Sequence, residues 1–335
     1  MKNLNKKCLI TGVTGQVGSY LAEILLSQGH DVWGIKRRTS TNNTKNISDI
    51  LSNGYFRLIE GDCLDNSFIS ELIHNQQFDE VYHLAAQSHV ATSFKIPEYT
   101  TSSIYNSTLF LLEAIRKYSK KTRFYFAGTS EMFGKNFSTT KDGIKYQDEN
   151  TAFIPQSPYS IAKLAGYHLT RLYREAYNLY ACTGILFNNE SPRRGEEFVT
   201  QKIVKYAAKL YEFQKTSSPY LYPRLVLGNL SASRDWGYSK DYAGVISLFL
   251  EQNRPQDLVI SSGETHTIYE FLNLAFCYFG LDYRRHVVID KEFYRPAEVD
   301  YLCGDSSLGR KILNWKPSVT FHELIRIMCE AAING

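Results

Sequence analysis

The stretch "ITGVTGQVGSY", residues 10–20, constrains this chain more than any other. It sets Gly12, Gly15 and Gly18 at GxxGxxG spacing between an apolar run, "KCLI", and the helical pattern "SYLAEILLSQG". In that pattern Leu21, Ala22, Leu25 and Leu26 share one face and Gly29 marks the stop. A second β-branched run, "DVWGIKR", follows, so the segment reads as a βαβ unit. Glycine is demanded where a backbone turns tightly and lets an anion approach a helix N-terminus, whose free N–H groups and dipole favour negative charge. Gly12, Thr14, Gly15, Gln16, Val17 and Gly18 are therefore candidates to hold a pyrophosphate, with a ligand-free tight turn as the bland alternative.

The alternation continues. "FRLIEGD", "EVYHLAA", "RFYFAGT" and "ACTGILF" read as buried strands, separated by the helices "SFISELIHN", "STLFLLEAIRKY" and "SPYSIAKLAGYHLTRLYREAYN". This predicts an α/β fold with a doubly wound parallel sheet over residues 1–190. Beyond "FNNESPRRG" the rhythm is lost: a helix near 198–214 precedes the Pro/Ser/Tyr-rich "QKTSSPYLYPR" and then shorter segments. Residues 191–335 are expected to form mainly a substrate-binding portion, with 236–262 rejoining the sheet side through "DYAGVISLFLEQ" and "LVISSG".

Charged residues make up 21% of the chain and the net charge of +4 is dispersed, which excludes a polyanion-binding tail and argues against a nucleic-acid partner. The short basic runs "IKRR" and "SPRRG" suit an anionic small molecule, or else are solvated surface charge. Six cysteines without CxxC spacing and eight histidines without HxH or HxxxH spacing point to neither a disulfide frame nor a metal site. The apolar segment ending at Gly12 is too short for a secretion signal or a membrane span. A cytoplasmic protein is expected.

An acid at the end of the second strand usually bonds the adenosine ribose of NAD. Here "GIKRRTS" offers Arg37 and Arg38 instead, and two guanidiniums suit a 2′-phosphate, so NADP is the expected cofactor. Asp62, in "EGDCLD", either accepts from the adenine amino group or caps a loop. In "SPYSIAK", Tyr159 and Lys163 lie one helical turn apart, where the lysine could lower the phenol pKa and make a base. Tyr211 and Lys215 repeat the spacing by chance; Tyr159 is selected because its helix follows the strand that ends in Thr129. There "GTSEMFG" sets an acid, Glu131, behind two hydroxyls, Thr129 and Ser130.

With these motifs the chain resembles the extended short-chain dehydrogenases/reductases. "LAAQSHVATSF", "TSEMFG", "SPYSIAK", "FNNESPRRGEEFVT", "LGNLSASRDWGYSKDY" and "RPAEVD" narrow the resemblance to GDP-mannose 4,6-dehydratases over nearly the whole chain. The resemblance implies catalytic roles for Thr129, Glu131 and Tyr159, with Ser130 positioning and Lys163 both tuning the tyrosine and binding NADP. It adds Leu64, Leu84, Ala85, Ala86, Ser88, Tyr99, Asn189 and Arg194 to the cofactor contacts. To a GDP-linked sugar it assigns Ser88, Asn188, Lys202, Leu225, Gly228, Arg234, Arg295 and Glu298. An ion pair with Asp235 or Glu298 is the structural alternative for the two arginines.

The implied reaction is internal oxidation and reduction through NADP with loss of water, giving a GDP-4-keto-6-deoxy sugar. The family has histidine where this chain has Asn189, and the chain departs from it in "QKTSSPYLYPR" and between "GLDYRRH" and "RPAEVD". These departures leave a GDP-manno-heptose beside GDP-mannose as substrate. A 4-epimerase or 4-keto-reductase would share Tyr159 and Lys163 but not need Glu131, and a non-catalytic NADP-binding regulator would need neither. The resemblance also implies a homodimer through the Tyr159 helices, or a homotetramer in which Arg38 and "TSTNNTKN" reach a neighbour, the alternative being an ordinary surface loop.

Overall fold

The computed structural model describes residues 5–40, 43–216, 221–294 and 296–334. Seven parallel strands form its central sheet: β1 (Lys7–Thr11), β2 (Asp31–Lys36), β3 (Phe56–Glu60), β4 (Glu80–His83), β5 (Arg123–Thr129), β8 (Ala181–Leu186) and β13 (Leu258–Ile260). A hairpin of β6 (Ser138–Thr139) and β7 (Lys145–Tyr146) lies outside it. The spatial order is β13-β8-β5-β4-β1-β2-β3, so the strand order reverses between β1 and β4. Ligands of such sheets bind in the crevice at that reversal, beyond the carboxyl ends of the strands.

Alternation along each strand sorts the core into two layers. Cys8, Ile10, Tyr82, Tyr125 and Cys182 face helices α1 (Gln16–Ser27) and α8 (Ser239–Phe249), meeting Leu21, Leu25, Tyr242 and Ile246. Leu9, Val81, Phe124 and Phe126 face the other way. They meet Ile69 of α2 (Asn66–Gln76), Leu111 of α5 (Ser107–Tyr118) and Ala162 of α6 (Pro158–Tyr177). Burial on both faces is why β4 and β8 are buried throughout. The short helices α3 (Val90–Ser93) and α4 (Pro97–Thr101) and a π-helical turn, Ser102–Asn106, lead into α5.

The remaining elements form a second packed body. Helices α7 (Val199–Lys215), α9 (Ile268–Tyr278) and α11 (Phe321–Asn334) bury Ile203, Phe271, Phe276, Leu324 and Met328 around Trp236. Short strand pairs connect it: β9 (Asn188–Glu190) with β12 (Trp236–Tyr238), β11 (Ser233–Arg234) with β14 (His266–Thr267), and β10 (Leu225–Leu227) with β15 (Val287–Ile289). Helix α10 (Ser307–Leu313) returns to pack on β13.

Candidate active site

One cavity of about 870 Å³ opens at the β1/β4 reversal and runs between the sheet and the second body. Gly12 has φ +71°, and a Cβ there would sit 2.9 Å from the backbone nitrogen of Ala85, just past the end of β4. A Cβ on Gly18 would sit 2.4 Å from the Gly12 carbonyl oxygen. Only glycine lets the turn, α1 and the end of β4 come this close. Helix α1 starts with no side-chain cap and no acid in its first turn, so its opening N–H groups are left for an anion.

Beneath this turn lies a relay that sequence reasoning missed. Thr11 Oγ1 accepts from the amides of Leu84 and Ala85, both at 3.1 Å, which leaves its proton for His83 Nδ1 at 2.8 Å. His83 Nε2–H then donates to Ser107 Oγ at 3.1 Å, and Ser107 donates to the Ser103 carbonyl at 2.7 Å. Burial holds the imidazole neutral, its pKa pushed down to about 3. The relay bolts β1, β4 and the π-helical turn together, and a lone histidine at a strand end carries no sequence signal of it.

The chemistry-bearing groups gather on the far wall. Strand β5 delivers Thr129, Ser130 and Glu131 to the cavity, all buried, and Thr129 Oγ1 accepts from the Glu131 amide at 3.3 Å. Helix α6 begins with a capping box between Ser157 and Ser160, which sets Tyr159 in its first turn and Lys163 one turn on. Burial pushes Tyr159 up to about 12; a hydrogen bond with Thr129 opposes this, and the negative charge of Glu131 adds to it. Burial also pushes Lys163 down to about 7. Its ammonium donates to the Ala127 carbonyl at 2.6 Å and lies over the Phe126 ring.

All other candidate residues border the same cavity except three. Arg38 is exposed and does not line it, whereas Arg37 does, bonded to the Tyr99 hydroxyl. Leu225 borders a smaller adjoining hollow and not the main cavity, which its neighbours Val226 and Leu227 line. Arg295 lies outside the described residues, as do 41–42 of "TSTNNTKN" and 217–220 of "QKTSSPYLYPR". Asp62 both borders the cavity and caps its turn, accepting from the Leu64 amide at 2.9 Å. Arg234, 5% exposed, pairs with Glu298 at 3.2 Å. Asp235 instead accepts from Ser262, Gly263 and Gly304 and pins their loops.

In "SPRRG" both arginines border the cavity but take different partners. Arg193 donates to Ser19 and Glu23 of α1 and stacks over Tyr20. Arg194 borders the cavity with Nε 3.2 Å from Glu190, an ion pair without hydrogen-bond alignment. The second Tyr/Lys pair is a surface feature: Lys215 pairs with Glu212 and lies over the Tyr211 ring.

A doubly wound sheet with a glycine turn at its reversal and a buried Thr/Tyr/Lys group at the end of β5 defines an extended short-chain dehydrogenase/reductase. Within that class, residues 9–328 match the family described as GDP-mannose 4,6 dehydratase, and the chain belongs to this family. It is 45% identical to GDP-mannose 4,6 dehydratase 1 of Arabidopsis thaliana, covering 97% of this chain and 89% of the relative. It is 42% identical to the human enzyme of that name, covering 97% and 91%. Among solved structures, Pal from Bacillus thuringiensis superposes with a TM-score of 0.84 at 23% identity, covering 97% of this chain and 98% of that one. A dTDP-glucose 4,6-dehydratase from Bacillus anthracis in complex with NAD gives 0.83 at 19%, covering 98% and 97%.

Proposed function

We propose that the chain converts GDP-mannose or a GDP-manno-heptose into the GDP-4-keto-6-deoxy sugar and water, with NADP held in the cavity. The observation that carries this reading is a buried carboxylate, Glu131, beside the Thr129 and Tyr159 hydroxyls on one wall. An oxidoreductase that only moves hydride at C4 has no step for that acid. The residues present suit a dinucleotide: the turn around Gly12 and Gly18 is a cradle that a Cβ would fill. Strand β2 is followed at the cavity by Arg37 and not by an acid, which favours the 2′-phosphate of NADP.

A bound nicotinamide would supply a hydride acceptor and donor and, when oxidised, a positive charge to the cavity. Tyr159 takes the proton of the sugar C4 hydroxyl, which Thr129 holds in place. The ketone so formed acidifies the C5 hydrogen. Glu131 removes that proton and returns one to the C6 hydroxyl, which departs as water, while Ser130 positions the group; the C5=C6 double bond left behind takes back the C4 hydride at C6 and a proton at C5. Lys163 holds the ribose edge of the site, and Arg194 borders the reacting end. Arg234, kept in place by Glu298, and Lys202 meet the diphosphate and nucleoside of the substrate.

Among the described residues no helix is long and apolar enough to cross a membrane. We place the enzyme in the cytoplasm, in keeping with its six unpaired cysteines. Ile161, Leu172 and Tyr177 of α6 and Tyr118 of α5 are exposed, and we read them as the contact of a homodimer. The reading is tested by a panel of GDP-mannose and GDP-manno-heptoses with NADP+ or NAD+. Turnover of one of these sugars with NADP+ supports it, and inertness toward all of them overturns it.

A further inference from the structure

Asn189 stands at a point where the cavity borders both the glycine turn and the second body, yet its carboxamide is already committed. Its Oδ1 accepts from Gln16 Nε2 at 3.2 Å and from Ser239 Oγ at 2.9 Å, and its Nδ2 donates to the Phe187 carbonyl at 3.3 Å. Gln16 Nε2 also donates to the Asn189 carbonyl at 2.9 Å, and Gln16 Oε1 accepts from Ser191 Oγ at 2.8 Å. Each end of both carboxamides is thus occupied within the protein, and Gln16 is only 9% exposed. Of the two carboxamides, one N–H of Asn189 and one acceptor position of Gln16 stay uncommitted among the described residues.

The partners are long-range and sit on functional elements. Gln16 is the first residue of α1, the helix whose opening N–H groups face the pyrophosphate site. Asn189 lies between Asn188 and Glu190 on β9. Asn188 borders the cavity with a buried side-chain oxygen that has no hydrogen-bond partner, and Glu190 pairs with Arg194. Anything that tightens the first turn of α1 therefore acts, through one side-chain pair, on the strand that presents a substrate-facing acceptor and a cavity arginine.

We propose that Gln16 and Asn189 form a latch that couples filling of the glycine turn to placement of Asn188 and Arg194, with Asn189 a positioning residue. This rests on the reading of the cavity as a dinucleotide and GDP-sugar site. Two side chains hydrogen-bonded in one network report such coupling as a non-additive pair.

The experiment is calorimetric titration of GDP into cofactor-stripped and NADP+-loaded protein. In the unaltered chain NADP+ tightens GDP binding by about fivefold or more, the lower range of measured site coupling. In Asn189→Ala and in Gln16→Met that factor falls to about one, while GDP and NADP+ each still bind, and the double variant falls no further. Gln16→Met keeps the side-chain volume, so it carries the test if Asn189→Ala does not fold. Coupling that persists in either folded variant overturns the latch, as does an unaltered chain without coupling. An unaltered chain that binds NADP+ but no GDP overturns the substrate reading itself.

Discussion

The Lys163 ammonium donates to the carbonyl oxygen of Ala127 at 2.6 Å, and the side chain is buried in the cavity wall. Burial lowers the lysine pKa to about 7, well below the roughly 10.4 of an unfolded chain. Between these values the unfolded state binds more protons, so stability rises with pH; the contribution of Lys163 is complete above about 10.4 and lost as pH falls through about 7. Lys163→Met removes this titration. Its melting temperature relative to the unaltered chain is expected to be higher at pH 6 than at pH 9 by at least about 2 °C, the shift of roughly 1 kcal/mol in a chain of this size. An offset that does not change with pH contradicts the buried charge.

Glu131→Gln keeps the size of the side chain and removes the base. Dehydration should fall by about 10²–10⁴-fold, the usual contribution of a positioned acid–base group, with NADP+ affinity unchanged. Retained dehydration removes Glu131 from the mechanism.

Tyr159→Phe leaves the pocket shape and removes the phenol that Thr129 touches. Single-turnover mixing with substrate should then show no transient nicotinamide absorbance. An undiminished transient excludes Tyr159 as the first base.

Gly18→Ala places a Cβ 2.4 Å from the Gly12 carbonyl oxygen, which forces the turn apart. Titration with NADP+ should show affinity reduced by at least about tenfold, or 1.4 kcal/mol. Unchanged affinity means that the dinucleotide does not use this turn.

Much of this was legible in the sequence, for local reasons. The inner sheet strands are buried on both faces, so they appear as unbroken β-branched and aromatic runs such as "RFYFAGT" and "ACTGILF". The link between Thr129 and Tyr159 followed from their places, a strand end and the start of the next helix, because the capping residues around Ser157 mark that start. What escaped were side chains whose partners lie far away along the chain. Nothing near Lys163 announces that its ammonium meets Ala127, and nothing near Gln16 announces Asn189, 173 positions on. Arg193 and Arg194 are adjacent and chemically identical and both border the cavity, yet packing pairs one with Tyr20 and Glu23 and the other with Glu190. Leu225 borders the hollow beside the cavity, while the next two residues of its strand line the cavity itself.

The central claim is that hydride leaves and returns within one turnover while water is lost. Mass spectrometry of the product from the active GDP sugar, read together with nicotinamide absorbance, tests it most directly. The account predicts a product lighter by one water with no net change in the nicotinamide. A product of unchanged mass, or one formed with net consumption of the cofactor, contradicts it.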